Sequence, residues 1–546
     1  MESTQQTDTT LGSPSWEVNN PYLHILAPRF FSNVDLCDWS DLPRRVVRMF
    51  RAAEERYGED PRSQQAAADL HALLQDGAFL PNSPVMMNSE LGTNVNLFAC
   101  HVLAPPSSAG ELEVASRIHD GCGGIGYDFS ALPDPVSMTQ RIERETAQLN
   151  PGRKRKAHSA VTLHVDHPMI GAFVGLSSTL EITHTNVELD AAFFEDLEAG
   201  RSTAAQKWTE ICGSIYSTGR PAIAFGEHKA LRSPNGERLI LNVCGESLLR
   251  ENESSLIGSI NASRFIIDGD LDEAALRKAV GLAVRCLDNL HDIQDHASPE
   301  VAQRCQQSRK IGLSVMGYAD ALLLMGLRYG TREALDFARR IMELVQASAV
   351  ATSEELAVHR GSCDLSLLRA GQRPRRNASL MAIAANGTLS LLANVSGGIE
   401  PVFSYVICQN VEGQAVHQMQ PTLRRILQGQ GLTADQLHQV TEALVRGVAP
   451  TDIGLIPQSV AQSMVRAHDL SVADHIATQA TFQSFIDGGI SKTINLPATA
   501  TVEAIGAAIL SARASGCVGI SLYRDGSVIG QPSQMSTSAL AMEATA

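Results

Sequence analysis

The chain has 546 residues and a formal net charge of −15, and 44% of its residues are hydrophobic and 19% charged. This composition is typical of a folded globular protein, and the length allows one large domain with an accessory one. The acidic balance disfavours nucleic acid as a partner, because nucleic-acid binding needs a basic surface. No apolar run reaches about 18 residues, which argues against a membrane span.

The ten cysteines are scattered at long intervals, and no Cys-x-x-Cys pair occurs. A zinc ribbon is therefore not expected, and the spacing of the histidines predicts no metal site. The first residues, Met-Glu-Ser-Thr-Gln-Gln-Thr-Asp, lack the basic and apolar segments of a secretory signal. We therefore expect a cytoplasmic protein whose thiols stay reduced and free for chemistry.

The N-terminal part of the chain favours helices. Residues 1–20 are polar and are predicted to be mobile. Residues 21–95 are predicted to form a helical domain, because apolar residues such as Leu42 and Val46 recur at helical spacing. Pro81-Asn-Ser-Pro84 ends the run of helices predicted over residues 40–80.

Residues 96–528 are predicted to form one α/β unit, because strand-like and helix-like stretches alternate there. The predicted strands are 98–103, 309–317, 491–495 and 518–523, and the predicted helices are 272–290, 332–359 and 502–515. Thr331 is a candidate N-cap and Gly361 a candidate stop for the second of these helices. Residues 529–546 are small and polar and are predicted to be a disordered tail.

The stretch with most chemical content is Asn242-Val-Cys-Gly-Glu246. It places an amide, a thiol and a carboxylate within five residues. A thiol can carry radical or nucleophilic chemistry while a nearby carboxylate moves protons. A cysteine in an apolar run is more often a small buried core residue, so the neighbouring motifs decide the interpretation.

Those motifs follow one another in an order that resembles the catalytic subunit of ribonucleotide reductases, most closely the adenosylcobalamin-dependent (class II) branch. The resemblance runs from about Pro81 to Ser527. It rests on Pro81-Asn-Ser-Pro84, Ala99-Cys100, Gly123-Gly-Ile-Gly-Tyr-Asp-Phe-Ser130, Asp166-His-Pro168, Asn242-Val-Cys-Gly-Glu246, Gly258-Ser-Ile-Asn261, Arg309-Lys-Ile-Gly312, Met316-Gly-Tyr-Ala-Asp-Ala321, Gly397-Gly-Ile-Glu-Pro401, Ser491-Lys-Thr-Ile-Asn-Leu-Pro497 and Tyr523-Arg-Asp-Gly-Ser527.

The resemblance implies a ten-stranded α/β barrel of two five-stranded halves, with a central finger loop that carries Cys244 at its tip. It also implies adenosylcobalamin as the cofactor, whose 5′-deoxyadenosyl radical takes hydrogen from Cys244. The resulting thiyl would take the ribose 3′-hydrogen of a nucleotide. Glu246 would accept the 3′-hydroxyl proton, Asn242 would orient the sugar, and Cys100 would protonate the departing 2′-hydroxyl.

The C-terminal strand favours this branch of the family. A branch that receives its radical from a second subunit uses a tyrosine pair there, but here Leu522 precedes the single Tyr523. No C-terminal glycyl-radical motif is seen either. Adenosylcobalamin remains, although the chain has no Asp-x-His-x-x-Gly signature, which this family does not normally use.

The resemblance also implies a substrate-binding set. Family members hold substrate phosphates at a Pro-Thr-Gly-Thr-x-Ser loop, which reads Ala385-Asn-Gly-Thr-Leu-Ser390 here. We assign substrate binding to Ser83, Ala99, Gly387, Thr388 and Ser390. The basic run 153–156 either contacts nucleotide phosphates or is a solvated loop.

Three departures from the family pattern bear on the product. The second redox cysteine, normally eleven residues after the radical cysteine, is Ser255, and a serine cannot form a disulfide. The last cysteine is Cys517, so the C-terminal cysteine pair of the family is missing from residues 531–546. The stretch 130–153 is shorter than the effector-binding insertion of typical members, so allosteric control by nucleotides is not expected.

Three hypotheses follow for the function. The first is 2′-deoxygenation of a nucleotide or nucleoside with an external thiol or formate as reductant. The second is a redox-neutral radical reaction, either epimerisation or loss of water, which the missing redox pair motivates. The third is a non-catalytic nucleotide-binding paralog, against which the intact Asn242, Cys244 and Glu246 argue. A homodimer is a further expectation for any of the three.

Overall fold

A computed structural model of the chain describes residues 14–17, 20–58, 61–91, 95–107, 109–411 and 414–527. The α-helices are α1 Leu23–Phe30, α2 Asp41–Glu54, α3 Pro61–Asp76, α4 Ser83–Asn88, α5 Ala109–Asp120, α6 Pro135–Leu149, α7 Ile170–Gly175, α8 Ala191–Glu198, α9 Ser202–Thr218, α10 Gly226–Ala230, α11 Glu273–Ile293, α12 Pro299–Ser308, α13 Tyr318–Leu324, α14 Arg332–Arg360, α15 Gly387–Ala393, α16 Pro421–Gly429, α17 Ala434–Val445, α18 Gln458–Ser463, α19 Val472–Gln483 and α20 Val502–Ala514.

The strands are β1 Phe79–Pro81, β2 Cys100–Val102, β3 Gly124–Asp128, β4 Ser159–His164, β5 Thr183–Leu189, β6 Ala222–Phe225, β7 Ile240–Leu241, β8 Leu248–Leu249, β9 Glu253–Asn261, β10 Ile266–Ile267, β11 Asp270–Leu271, β12 Ile311–Met316, β13 Val406–Val411, β14 Gln414–Met419, β15 Thr493–Leu496 and β16 Gly519–Arg524. The apolar strands that the sequence predicts around 98–103, 309–317, 491–495 and 518–523 correspond to β2, β12, β15 and β16.

Two groups of parallel strands build the central sheet. β2, β3, β4, β5 and β6 are parallel neighbours in that order. In the second group β9 pairs in parallel with β12, and β15 with β16. Between these two pairs lies the segment 379–383. Its Met381 forms a parallel bridge with Leu313 of β12, and its Ile383 forms one with Ile490. Helices cover the outside, as parallel sheets require.

The two groups meet at two antiparallel seams. β2 pairs with β9 at one seam, and β6 pairs with β16 at the other. Counting the segment 379–383, each group contributes five strands to one closed wall. The predicted α/β barrel of two five-stranded halves is confirmed.

The N-terminal region is helical but is joined to the barrel. Its strand β1 pairs with the end of β9, so the boundary predicted at residue 95 does not separate two independent units. Trp16 is only 2% exposed, and its ring nitrogen donates to the carbonyl of Leu74. The predicted mobility of residues 1–20 is therefore wrong for residues 14–17, because the indole completes the core of this region. Residues 1–13 and 18–19 lie outside the described part.

The two long helices begin where the sequence predicts. The Asp272 side chain accepts from the backbone N–H of Ala275 at the start of α11. Thr331 caps α14 in the same way, and Gly361 ends it with a φ of 82°. These caps satisfy backbone groups that a helix end leaves without partners.

Neither long helix is apolar enough to cross a bilayer, nor is any other helix in the described ranges. The predicted tail 529–546 lies outside the described residues.

Candidate active site

A short hairpin carries the residues of the Asn242–Glu246 stretch. β7 and β8 pair Ile240 with Leu249 and Leu241 with Leu248, and they leave a loop of residues 242–247. The side-chain oxygen of Asn242 accepts from the backbone N–H of Ser247 at 3.0 Å, and its backbone N–H donates to the carbonyl of that residue at 3.1 Å. Asn242 is therefore the residue that closes the loop.

The hairpin runs through the interior of the barrel, between opposite walls. A Cβ atom at Gly126 of β3 would lie 2.2 Å from the carbonyl oxygen of Leu241. A Cβ atom at Gly489, next to β15, would lie 2.1 Å from the carbonyl oxygen of Gly245. Only glycine permits such close approach of two backbones. The structure thus agrees with the predicted central finger loop.

Cys244 lies at the tip of this loop and faces open space. Its side chain is exposed, whereas Asn242 and Glu246 are 2% and 4% exposed. A Cβ atom added at Gly245 would have no neighbour within 4 Å. Protein nevertheless encloses that space, so desolvation and the charge of Glu246 raise the pKa of Cys244 to about 12. At neutral pH the residue is a thiol that still carries its hydrogen atom.

Glu246 contacts the other thiol of the site. The Sγ of Cys100 donates to its Oε1 at 3.2 Å, and its Oε2 is buried without a partner among the described residues. Burial raises the pKa of Glu246, although hydrogen bonds from Cys100 and Asn242 oppose the shift. Burial and the neighbouring carboxylate also raise the pKa of Cys100. The pair therefore offers a base with one free oxygen beside a protonated donor.

Ser255 lies directly across from Cys100. The antiparallel register of β2 and β9 makes the two residues Cα partners. The Ser255 hydroxyl donates to the carbonyl of Lys310 at 3.4 Å. The position that carries the second redox cysteine in the family pattern is thus next to Cys100, and a hydroxyl occupies it.

The remaining predicted residues lie close to the ends of nearby strands. Gly387, Thr388 and Ser390 belong to α15, which directly follows the segment 379–383. Ala99 packs in the same small apolar cluster as Ala384.

Ser83 begins α4, and its neighbour Asn82 donates from its backbone to the carbonyl of Ile257 in β9. Ile257 belongs to the same small cluster as Ala99 and Ala384. The barrel thus places Ala99, the start of α4 and the start of α15 in one region.

Two arginines lie near the site, one of them outside every predicted motif and the other within the basic run 153–156. Arg29 in α1 donates to the hydroxyl of Thr388 at 3.3 Å, across 359 residues of chain, and no local pattern indicates that contact. Arg155 donates to the carbonyl of Cys122 at 2.8 Å. Its charge acts on the pKa values of both Cys244 and Glu246, in the direction opposite to burial. Within the basic run 153–156, this residue is the one whose charge reaches the loop.

One group of metal-type side chains lies away from the site. Atoms of His164, Asp166 and Asp190 lie within 4.8 Å of one another at the ends of β4 and β5. His164 contacts Asp190 at 3.3 Å, and Lys207 pairs with Asp166 at 3.2 Å. These neighbours satisfy the carboxylates, and the exposed position gives no further reason to assign an ion.

Comparison with known families identifies the barrel. The family model described as the ribonucleotide reductase barrel domain matches residues 184–365 and 367–523, more than half of the chain. The chain therefore belongs to the ribonucleotide reductase family.

Similar proteins point to one branch of that family. The chain is 32% identical over 536 residues to the vitamin B12-dependent ribonucleoside-diphosphate reductase of Mycobacterium tuberculosis H37Rv, which covers 90% of this chain and 75% of the relative. It is 30% identical to the protein of that name from Thermoplasma acidophilum, over 82% of this chain and 63% of the relative. The resemblance to the B12-dependent branch is thereby confirmed.

A solved structure supports the fold separately. The class Id ribonucleotide reductase alpha subunit of Actinobacillus ureae superposes with a TM-score of 0.75 at 18% identity, over 94% of this chain and 99% of that one. At this identity the likeness shows the fold alone.

Proposed function

We propose that this chain is an adenosylcobalamin-dependent ribonucleotide reductase that removes the 2′-oxygen of a ribonucleotide through a thiyl radical on Cys244. One observation carries the proposal. The barrel holds the exposed thiol of Cys244 at the tip of a central loop, two residues from a buried carboxylate that is hydrogen-bonded to a second thiol.

The tip of the loop is open on the side of Cys244. Cys244 faces open space, and the neighbouring Gly245 has no atoms within 4 Å of the position of a Cβ. These two residues would border the cofactor's reactive group. Adenosylcobalamin, when bound, supplies the radical that withdraws the hydrogen atom from the thiol. The high pKa of Cys244 keeps that hydrogen atom on sulfur.

Four side chains divide the remaining work. The Cys244 thiyl takes the 3′-hydrogen of the ribose. The unpartnered Oε2 of Glu246 accepts the proton of the 3′-hydroxyl, which eases the loss of the 2′-oxygen. Cys100, whose raised pKa keeps it protonated, gives the proton with which that oxygen leaves as water. Asn242 holds the loop closed and orients these groups.

The names of the relatives support a ribonucleoside diphosphate as the substrate. Gly387, Thr388 and Ser390 would contact its phosphates through backbone N–H groups and hydroxyls. Arg29, already in contact with Thr388, adds a positive charge to that end of the site. Ser83 and Ala99 would contact the rest of the nucleotide.

The reductant follows from Ser255. Replacing the 2′-hydroxyl with hydrogen, with release of water, consumes two electrons. Cys100 and the Ser255 opposite it cannot form the disulfide that would supply them. We propose an external two-electron donor, either a small thiol, which leaves as a disulfide, or formate, which leaves as carbon dioxide.

Product analysis tests the proposal. The full chain is incubated without oxygen with adenosylcobalamin, a panel of ribonucleoside diphosphates, and either dithiothreitol or formate. We expect a product that lacks one oxygen, formed over many turnovers. An isomer of unchanged mass would contradict reduction, and release of free base would indicate an elimination that the enzyme does not complete.

A second candidate function rests on the same serine. If no external donor reaches the site, the reaction started at Cys244 must leave the product at the same oxidation level as the substrate. Epimerisation and loss of water to a keto sugar both meet this condition. The hydroxyl of Ser255 opposite Cys100 is the observation that favours it. The product masses above separate this reaction from reduction.

The variant Ser255→Cys tests the geometry of the lost redox pair. Antiparallel partners have Cα atoms about 4.5–5.5 Å apart, which lies within the range that a disulfide spans. We expect mild oxidation to join the new thiol to Cys100, so that the folded variant loses two hydrogens in mass.

Ser259→Cys is the matched control for that variant. It lies on the same strand and the same face, four residues further on and about 13 Å away. We expect it to keep both thiols under the same oxidation. A linkage of both variants, or of neither, would contradict the assigned register.

A further inference from the structure

A cavity of about 300 Å³, separate from the space at Cys244, lies beneath the hairpin that carries this residue. Its wall includes Leu239 and Leu248 from the base of that hairpin, and Lys310 and Leu380. Lys310 and Leu380 lie at the N-terminal ends of β12 and of the segment 379–383. The proposed phosphate-binding helix α15 follows the C-terminal end of the same segment, so the two sites lie at opposite ends of parallel strands.

Positive charge dominates the cavity wall, although the chain as a whole is acidic. Five basic residues line it against one acidic residue, Asp487: these are Arg232, Arg250, Lys310, Arg369 and Arg375. Two of the five already have carboxylate partners. Arg250 and Lys310 each lie 2.9 Å from a carboxylate oxygen of Glu253, and Arg250 also lies 3.3 Å from Glu237.

The other three arginines contact only backbone carbonyls in the hydrogen bonds of the described residues. Arg232 donates to Ile486 at 2.7 Å, and Arg369 donates to Leu231 at 3.0 Å. Arg375 donates to the carbonyl of Ala378 at 2.8 Å. Among the described residues, none of the three has a carboxylate oxygen within 4 Å.

Asp487 is the one acidic residue in the cavity wall, and among the described residues it forms no ion pair with any of the three guanidinium groups. The carboxylate of Asp487 accepts from the backbone N–H groups of Leu380 and Met381. Burial lowers the pKa of Arg232, and the charge of Arg369 lowers it further, while Asp487 opposes the shift. Two arginines thus repel each other across the cavity, and a bound anion would relieve that repulsion.

Arg375 supplies an independent sign of a missing partner. It is only 6% exposed, and its buried Nε–H has no acceptor among the described residues. A buried donor without an acceptor costs free energy that an oxygen of a ligand would recover. Arginine is also the side chain whose planar donor set matches phosphate oxygens in pairs.

We propose that this cavity binds a small molecule through its phosphate groups, which pair with Arg232, Arg369 and Arg375. The cavity volume is at the lower end for ligand sites and suits a di- or triphosphate, alone or with a small organic part. None of Cys100, Cys244 or the α15 residues lines it. The proposal is therefore independent of the reaction at Cys244.

Binding of pyrophosphate to the full chain tests the proposal. Titration calorimetry gives the affinity, and thermal unfolding reports the same binding, because a ligand of the folded state raises the unfolding temperature. We expect the variants Arg369→Gln and Arg375→Gln each to weaken binding by about tenfold, the loss of one charge-assisted contact. Arg369 is exposed, so its variant remains folded even if Arg375→Gln does not.

Two control variants keep the result specific. Arg373→Gln removes an arginine that is 81% exposed and does not line the cavity, and it should bind as the unchanged chain does. Thr388→Ala removes a hydroxyl of the proposed substrate site and should also bind normally. Loss of binding in Thr388→Ala but not in the cavity variants would place pyrophosphate at the substrate site and overturn the proposal.

Two further ligands define what is recognised. ATP that binds more tightly than pyrophosphate, with the same dependence on Arg369, would support a nucleotide as the natural occupant. Equal affinities would support recognition of the phosphates alone. Citrate that binds as tightly as pyrophosphate, or no binding of pyrophosphate to the unchanged chain, would overturn the phosphate assignment.

Discussion

Replacing Cys244 with serine is expected to abolish turnover, by about 10⁴-fold or more, the scale on which loss of an essential reactive group acts in other enzymes. A serine hydroxyl holds its hydrogen atom too strongly to form the radical, but it has nearly the size of the thiol. The side chain is exposed at the loop tip, so the variant should fold normally. The measurement is the rate of product formation in the presence of adenosylcobalamin, with the circular dichroism spectrum as the test of folding.

Cys37→Ser is the control for this variant. Cys37 is partly exposed and follows a short 3₁₀ helix of the N-terminal region, away from the barrel loop. We expect it to keep full activity. Activity of Cys244→Ser within tenfold of the unchanged chain would mean that another group starts the reaction.

Replacing Glu246 with glutamine is expected to lower kcat by about 10²–10⁴-fold, the usual contribution of a positioned general base. The amide keeps the size of the side chain and can still contact Cys100, but it cannot accept a proton. Substrate binding should change little, because the carboxylate acts on the hydroxyl as the reaction proceeds. Rate and KM are measured at saturating cofactor.

The same residue sets an acid limit on the rate. Burial raises the pKa of Glu246, and only the ionised form is a base. The rate should therefore fall as the pH drops through that raised pKa, at a higher pH than an exposed glutamate would give. The residual rate of Glu246→Gln should lack this fall.

Glu251→Gln is the matched control, since Glu251 is exposed two residues beyond the hairpin. It should keep the rate and the pH profile of the unchanged chain. An unchanged acid limb in Glu246→Gln would show that a different group titrates there.

Local sequence patterns predicted much of this fold. Helix α14 begins at its predicted cap, Thr331, and α11 begins within one residue of its predicted start, because helix starts depend on a few neighbouring residues. The barrel and the meeting of Cys100 with Glu246 across 146 residues followed from the family resemblance and not from periodicity. Composition alone would have left Cys244 as a core residue.

Other features depend on contacts between distant parts of the chain, which local patterns do not report. The contact of Arg29 with Thr388 depends on how α1 docks on the barrel. Trp16 looked mobile because its own segment is polar, yet the core that buries it is built from other helices.

The serine at position 255 gives this active site its distinctive chemistry. The register of β2 and β9 places it opposite Cys100, at the position of the second redox cysteine in the family pattern. In the proposed reaction, the start depends on residues that are present, while completion depends on a donor from outside. This division explains why product analysis and radical formation have to be measured separately.

The exchange of tritium from the cofactor into water tests the central claim most directly. The chain is mixed with a ribonucleoside diphosphate and adenosylcobalamin that carries tritium at the 5′-position, and tritium in the solvent is counted over time. If Cys244 forms a thiyl, tritium from the cofactor is transferred to the Cys244 thiol and exchanges from there into water. The variant Cys244→Ser then abolishes the release. Absence of exchange with every nucleotide tested, or exchange that persists in Cys244→Ser, would contradict the account; the first result would indicate a nucleotide-binding protein without radical activity.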